Sequence, residues 1–171
     1  PGTHPTKGAF FSRGSSHDEY AVYTEDGRIH ARVLDRIRRK FDTAAKLLPK
    51  PDIDVREKSA RIGAIYYGSS RPAVLEALDG LRREGHHINA MRLRAFPFSD
   101  EVKSFCDAHD RLIVVEQNRD AQMRSLLMVE ANVAGDRLIP ALSYDGRPLT
   151  AAFVRGAILD VLQPAKADAA E

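Results

Sequence analysis

Between Ile62 and Leu162 the sequence repeatedly exchanges a short apolar run for an amphipathic stretch, and a chain with that rhythm can fold in few ways. Ile62 to Tyr67 is a compact run ending at Gly68; Ser69, Ser70 and Pro72 then supply a helix start ahead of Val74, Leu75, Leu78 and Leu81. Gly85 is placed to end that helix, Ile88 to Ala95 alternates apolar and polar positions, and Ser99 with Asp100 and Glu101 sets a second cap with favourable dipole charge. Leu112 to Val115 is a third strand, followed by a helix with Asp120 as its cap and Met123, Leu126, Leu127 and Val133 turned inward. Leu138 to Leu142 is a weaker strand containing Pro140. The Asp145-Gly146 pair predicts a turn, and Thr150 caps a last helix carrying Phe153, Val154, Ile158, Val161 and Leu162. Parallel strands need crossover helices, so this order predicts an α/β fold: a three-layer α/β/α sandwich with a mainly parallel sheet of about five strands.

The first third reads differently. From Arg28 the apolar residues Ile29, Val33, Ile37, Phe41, Ala45 and Leu48 recur every three or four positions among Arg32, Arg36, Arg38, Arg39 and Lys40, which predicts an amphipathic helix with a basic outer face. Pro49 and Pro51 stop it, and the charged run from Asp52 to Ser59 reads as a linker with a domain boundary near Lys58. Ahead of the helix lies a polar, glycine-containing stretch without the periodicity of a first element, as expected of a piece excised from a longer polypeptide. The alanine-rich residues 164–171 are expected to be a disordered tail.

Composition narrows the function classes. The 26 basic and 24 acidic side chains nearly cancel, so charge points to neither nucleic acid nor an anionic membrane as partner. Cys106 is the single cysteine, which excludes an internal disulfide and a thiolate-held iron–sulfur cluster on this chain. With neither a long apolar run nor a charged-then-apolar leader, the expected home is the cytoplasm.

Self-contained chemistry is scarce. There is no P-loop, no GxGxxG after the first strand, no HExxH and no GxSxG. His86 and His87 are adjacent and lack a carboxylate or thiol at metal-ligand spacing, so they read as a solvated turn. Cys106, between Phe105 and Asp107 without a basic helper, reads as an inert, partly buried thiol. Two segments stand out. The opening loop crowds Thr6, Lys7, Arg13, Ser15, Ser16, His17, Asp18 and Glu19 around Gly8 and Gly14, the composition of either an unordered end or a loop lining a site. In VVEQNRDAQMRSLL an apolar strand ends in Glu116, Gln117 and Asn118 before Arg119 and Asp120 open a helix, and the carboxyl ends of parallel strands are where such sheets bind ligands and partners. The plainer reading makes Asp120 a helix cap, Glu116 and Arg119 a solvated pair, and Gln117 and Asn118 turn-formers.

Taken together, HPTKGAFFSRGSSHDEYAVYTED, RKFDTAAKLLPKP, LRAFPF and VVEQNRDAQMRSLL, in that order from His4 to Leu127, resemble the C-terminal half of the α subunit of 2-oxoglutarate-type 2-oxoacid:ferredoxin oxidoreductases. The resemblance extends to about Leu162. It implies a parent enzyme that decarboxylates a 2-oxoacid on thiamine diphosphate, passes electrons through an iron–sulfur cluster to ferredoxin, and delivers the acyl group to coenzyme A. It also implies a domain plan: residues 1–57 as the trailing arm, helix and linker of a pyrimidine-binding domain, 58–163 as a transketolase C-terminal-like α/β domain, and 164–171 as tail.

Under that resemblance the residues that anchor the substrate and activate the thiamine lie upstream of Pro1, and the diphosphate, Mg and cluster sites lie on the β subunit. This piece is then expected to be folded but inactive alone, binding no cofactor itself and supporting domain packing and assembly with the β subunit, a second α subunit and, through the complex, ferredoxin. Arg13 and His17 are the residues expected near the substrate carboxylate or coenzyme A, while Glu116, Asn118 and Arg119 are expected at domain or subunit contacts. The rival reading is a stand-alone ligand-binding or regulatory α/β module, against which the missing glycine-rich phosphate loop counts.

Overall fold

The structure, a computed structural model, describes His4 and residues 16–162, so Arg13 and the expected tail at 164–171 lie outside the described residues. The chain divides into two compact units, Pro1–Leu47 and Leu48–Glu171.

In the first unit a tight turn leads into helix α1, Gly27–Leu47. Asp18 organises the turn: its Oδ1 accepts the N–H groups of Tyr20 and Val22 at 2.9 and 3.0 Å, Ala21 sits at φ 68°, and His17 bridges to Tyr23. Asp26 caps α1, its Oδ1 accepting Arg28 N–H at 2.8 Å and its carbonyl accepting His30 N–H. The Glu19–Arg32 ion pair at 3.0 Å ties the turn to the helix.

The second unit holds a five-stranded sheet in the order β1-β3-β2-β4-β5, with strands Asp52–Asp54, Ile62–Tyr67, Asn89–Leu93, Arg111–Glu116 and Leu138–Leu142 numbered along the chain. All neighbours run parallel except β1, which lies antiparallel to β3 at the edge. Helices α2 (Arg71–Arg83) and α5 (Ala151–Leu162) share one core with Ala64, Ile113 and Val115, whereas α3 (Asp100–Asp107) and α4 (Gln122–Glu130) share the other with Ile65, Met91, Leu112 and Val114. Successive strand residues feed opposite faces, and burial on both sides gives the three-layer sandwich expected from the sequence.

Local chemistry accounts for most boundaries. The carbonyl of Leu81 accepts His86 N–H at 2.9 Å and that of Arg82 accepts Gly85 N–H at 3.0 Å, with Gly85 at φ 88°, so α2 ends in a Schellman motif. Phe153 N–H donates to Thr150 Oγ1 at the start of α5. Arg111 donates to the carbonyl of Val161 in the last turn of α5 at 2.9 Å, satisfying one of its free acceptors. Pro140 stays in register with Val114 because β5 is an edge strand, where its missing N–H faces away from the ladder.

Two expectations need correction. Asp52–Asp54, read from its charges as linker, is edge strand β1, and the compact unit begins at Leu48. Charged side chains and the flanking Pro49 and Pro51 are what an edge strand uses against unwanted pairing, so the linker signal and the edge signal coincide. The fourth helix is shorter and less inward-facing than expected: it ends at Glu130, only Leu127 within it is fully buried, and Val133 lies beyond it.

Candidate functional site: the carboxyl-end crest of the sheet

From β2 the chain crosses to β3 on one side, whereas β4 continues to β5 on the other, so the crevice between the carboxyl ends of β2 and β4 is the switch point at which open α/β sheets place ligands. Tyr67 ends β2 and Glu116 ends β4, and Gly68 to Ser70, a 3-10 turn, leads from β2 into α2.

The crevice is filled by the protein's own groups. Glu116 is fully buried, and its carboxylate accepts four hydrogen bonds: Met123 N–H at 2.7 Å and Asn118 Nδ2 at 2.8 Å, Arg124 N–H at 3.0 Å, and a longer one from Tyr67 O–H at 3.4 Å. Burial first, and then the charge of Glu116, pushes the Tyr67 phenol above its ordinary pKa. Asn118 Oδ1 accepts from Asp120 N–H and Gln122 N–H at 3.1 and 3.2 Å, closing the loop into α4. Gln117 Nε2 donates to Ser69 Oγ at 3.0 Å and Ser70 Oγ at 3.3 Å, linking the β4 loop to the start of α2.

An exposed helix N-terminus here would offer free N–H groups to a phosphate. In this protein a glutamate carboxylate from β4 already takes the N–H groups of Met123 and Arg124. The arrangement holds two strands and a helix together and leaves Arg119 and Asp120, with side chains 73% and 59% exposed, on the outside.

This corrects the plainer reading of the segment. Asp120 does not cap α4: the cap position is Ala121, left-handed at φ 49°, and the capping carboxylate is Glu116. That conformation costs a residue with a Cβ about 1–2 kcal/mol, and the surrounding hydrogen bonds hold it. Arg119 pairs with Asp120 at 2.7 Å rather than with Glu116, while Asn118 is the expected turn-former. Cys106 is fully buried rather than partly so, and burial pushes its thiol up to about 11.

Of the residues expected near substrate, Arg13 is outside the described residues. His17 is half-buried in the first unit, its Nδ1 donating to the carbonyl of Asp18 at 2.8 Å, which leaves Nε2 as the acceptor. Ser16 Oγ lies 3.0 Å from His30 Nδ1, so the turn is fastened to α1 at two places. His86 is half-buried and His87 exposed at the turn after α2, as expected.

Sequence reasoning missed a second buried polar network at the opposite, amino edge of the sheet. His109 Nδ1 donates to the Phe105 carbonyl at 2.7 Å, and His109 Nε2 accepts from Asn89 Nδ2 at 3.0 Å. Asn89 Oδ1 accepts Arg56 and Glu57 N–H groups at 3.0 and 3.2 Å, and its Nδ2 also donates to the Glu57 carbonyl. Both side chains line an apolar groove of about 320 Å³ with Ile53, Val55 and Phe105. Asn89 opens β3 and His109 lies two residues ahead of β4, positions that the sequence alone does not separate from ordinary loop residues.

The groups used by thiamine enzymes do not fit the residues described. Among them no set of three or more His, Cys, Asp or Glu side chains is placed to hold a metal ion, the anion-binding end of α4 is taken by Glu116, and the lone Cys106 is buried.

The fold defines the class first: a transketolase-like α/β domain. A split-gene transketolase, solved as an inactive β4 tetramer, superposes at TM-score 0.51 with 17% identity, covering 65% of this chain and 41% of that one. A 2-oxoglutarate:ferredoxin oxidoreductase from Magnetococcus marinus, solved with 2-oxoglutarate, coenzyme A and succinyl-CoA bound, superposes at TM-score 0.79 with 22% identity, covering 95% of this chain and 28% of that one. No family model matches the chain. Its sequence relatives are alpha subunits of 2-oxoacid:ferredoxin oxidoreductases: subunit alpha of 2-oxoacid:ferredoxin oxidoreductase 2 from Aeropyrum pernix is 30% identical over 154 residues, and the alpha subunit from Saccharolobus solfataricus is 26% identical over 154. Each alignment covers 88% of this chain, which spans 24% of the length of these relatives.

Proposed function

We propose that this chain is the C-terminal, non-catalytic portion of the α subunit of a thiamine-diphosphate-dependent 2-oxoacid:ferredoxin oxidoreductase, with 2-oxoglutarate as the substrate and acyl-CoA, CO2 and reduced ferredoxin as products. The observation that carries the reading is the 30% identity to an oxidoreductase alpha subunit over 88% of the chain. The turn and α1 are the trailing arm of the pyrimidine-binding domain, and the α/β unit packs domains and subunits together, with the β subunit as its partner in the cytoplasm. Glu116 and Asn118 shape the crest, and Arg119 is the contact residue it presents. Arg13 and His17, from the polar arm, approach the substrate carboxylate or coenzyme A.

A crest closed by its own carboxylate supports a packing role over the rival reading of a stand-alone ligand-binding module, because the position an anionic ligand would take is filled. The test is 2-oxoglutarate-dependent reduction of a viologen dye with thiamine diphosphate, Mg and coenzyme A. This chain mixed with the β subunit is expected to give no reduction, and the complete α subunit mixed with β to give rapid reduction. Reduction by this chain with β would overturn the non-catalytic role, and failure of the complete enzyme on 2-oxoglutarate alongside turnover of another 2-oxoacid would overturn the substrate.

A further inference from the structure

One strand away from the crevice that Glu116 closes, the carboxyl end of the sheet carries a second group of polar side chains. Tyr66 on β2, Arg92 on β3 and Asp52 on β1 are in register on neighbouring strands about 4.8 Å apart, and they share the sheet face that α2 covers. Asp52 is divided between two arginines, its oxygens lying 3.4 Å from Arg92 and 3.2 Å from Arg94. Arg71 opens α2 just after the left-handed Gly68 (φ 57°), where an added Cβ would meet nothing within 4 Å. Three donors here are unspent. Tyr66 is 4% exposed, yet its hydroxyl makes no hydrogen bond among the described residues. Arg92 Nε is buried without a partner, and the Arg71 guanidinium has neither a hydrogen bond nor an ion pair among the described residues. Burial pushes the Tyr66 phenol above its ordinary pKa, against the pull of the Arg71 and Arg92 charges, so near neutral pH it keeps its proton and can donate. Asp54 is matched by Arg56 at 2.5 Å, which leaves Arg71, Arg92 and Arg94 facing the carboxylate of Asp52 with a surplus of two positive charges.

We infer that Tyr66, Arg71 and Arg92 form a binding site for a phosphate group, carried by a small phosphate monoester or free as inorganic phosphate. The donors come from β2, from the start of α2 and from β3, an arrangement that suits a tetrahedral anion with three free oxygens better than a planar carboxylate with two. Guanidinium groups pair with phosphate oxygens two at a time, and a surplus of two positive charges matches a dianion. A buried donor left without an acceptor costs stability, and a bound oxyanion supplies the acceptor that Tyr66 and Arg92 lack. This site goes beyond the proposed function, which routes no ligand through the α2 face, and it lies outside the crevice between β2 and β4 that Glu116 fills.

Phosphorus NMR tests the inference without relying on thermal stability, which phosphate raises in many proteins by exclusion from their surfaces. Inorganic phosphate and glycerol 3-phosphate are each titrated with this chain and with the complete α subunit, at an ionic strength held constant with chloride. Saturable binding of one phosphate per chain is expected in both proteins. Tyr66→Phe keeps the buried ring and removes only the hydroxyl, and Arg71→Gln alters an exposed side chain without a partner, so both variants are expected to keep the circular dichroism of the parent. Each is expected to weaken binding at least about fivefold, whereas Arg61→Gln, at the amino end of the sheet, leaves it unchanged. Tighter binding of glycerol 3-phosphate identifies a monoester as the ligand, and equal binding identifies the free anion. Absence of saturable binding overturns the inference, as does binding that Tyr66→Phe and Arg71→Gln leave intact. Displacement of phosphate by succinate at equal concentration overturns the choice of phosphate over carboxylate. Binding by this chain but not by the complete α subunit also overturns it, because the three donors are then spent on contacts within the subunit. Viologen reduction by the complete enzyme reports separately on the proposed function, so the two can fail independently.

Discussion

Glu116 at the end of β4 holds the N–H of Met123 at 2.7 Å, seven residues further along the chain, and so caps a helix whose own cap position is an alanine. This contact fixes how α4 leaves the sheet. Removing the carboxylate leaves the Met123 and Arg124 amides without their acceptor and Asn118 Nδ2 with only the longer contact to Tyr67 Oη at 3.4 Å. Glu116→Ala is therefore expected to cost about 2–4 kcal/mol, read as a fall in the urea midpoint at constant m-value. Glu116→Gln, which keeps one acceptor oxygen, is expected to cost less. A change within about 0.5 kcal/mol for both would show that solvent replaces the carboxylate without loss.

Asn89 and His109 form a closed pair in which each donor meets an acceptor, with the imidazole held in its Nδ1–H form. Asn89→Ala strands the Arg56 and Glu57 amides as well as the histidine, and about 2–3 kcal/mol of destabilisation is expected. A double-mutant cycle with His109→Ala is expected to show at least about 0.5 kcal/mol of coupling. Strict additivity would mean the two side chains act separately.

Gly63 gives a sharper test of core packing. A Cβ there would stand 3.0 Å from Phe105 Cε1 and 3.1 Å from Leu112 Cδ2, both in the core beneath α3. Gly63→Ala is expected to destabilise by about 1–3 kcal/mol through overpacking, measured by thermal or urea unfolding. An unchanged midpoint would show that Phe105 can move aside.

The Lys50–Glu101 pair sets a pH dependence. The Lys50 hydrogen bond holds the Glu101 carboxyl down at about 2 from its usual 4.5. A depressed carboxyl pKa contributes stability above the unfolded value that is lost as pH falls through the folded one, so this contribution is expected to disappear between about pH 4.5 and 2. The group is exposed, so the effect is small and screened by salt. At low ionic strength Lys50→Met is expected to lower stability slightly near neutrality and to flatten the profile between about pH 4.5 and 2, with the two proteins converging below that window. An unaltered acid profile in the variant would remove the pair from the account.

Most of the fold was legible because its determinants are local. Apolar runs at 62–67 and 112–115 are buried on both faces of a parallel sheet, Gly85 supplies the φ of 88° that a Schellman motif needs, and Thr150 supplies an oxygen one turn ahead of α5. What was illegible depends on long-range partners. Asp52–Asp54 is a strand only because β3 offers it an edge, and its acidic, proline-flanked sequence reads as linker until that edge is known. Asp120 has the chemistry of a cap but lies in the outer loop, because Glu116 reaches the amides first from within the sheet. In the segment from Glu116 to Asp120, which side chain is buried and which exposed follows from the sheet topology and not from the residue types. Asn89 and His109, 20 residues apart, carried no pattern at all.

The central claim is that the α/β unit assembles the enzyme and takes no part in its chemistry. The direct measurement is the assembly and turnover of the complete oxidoreductase carrying Arg119→Glu at the exposed crest, beside wild type. Sedimentation is expected to show weakened association, while 2-oxoglutarate-dependent kcat per assembled complex stays within about twofold of wild type. A variant that assembles fully but loses kcat would contradict the account and place this crest in the reaction.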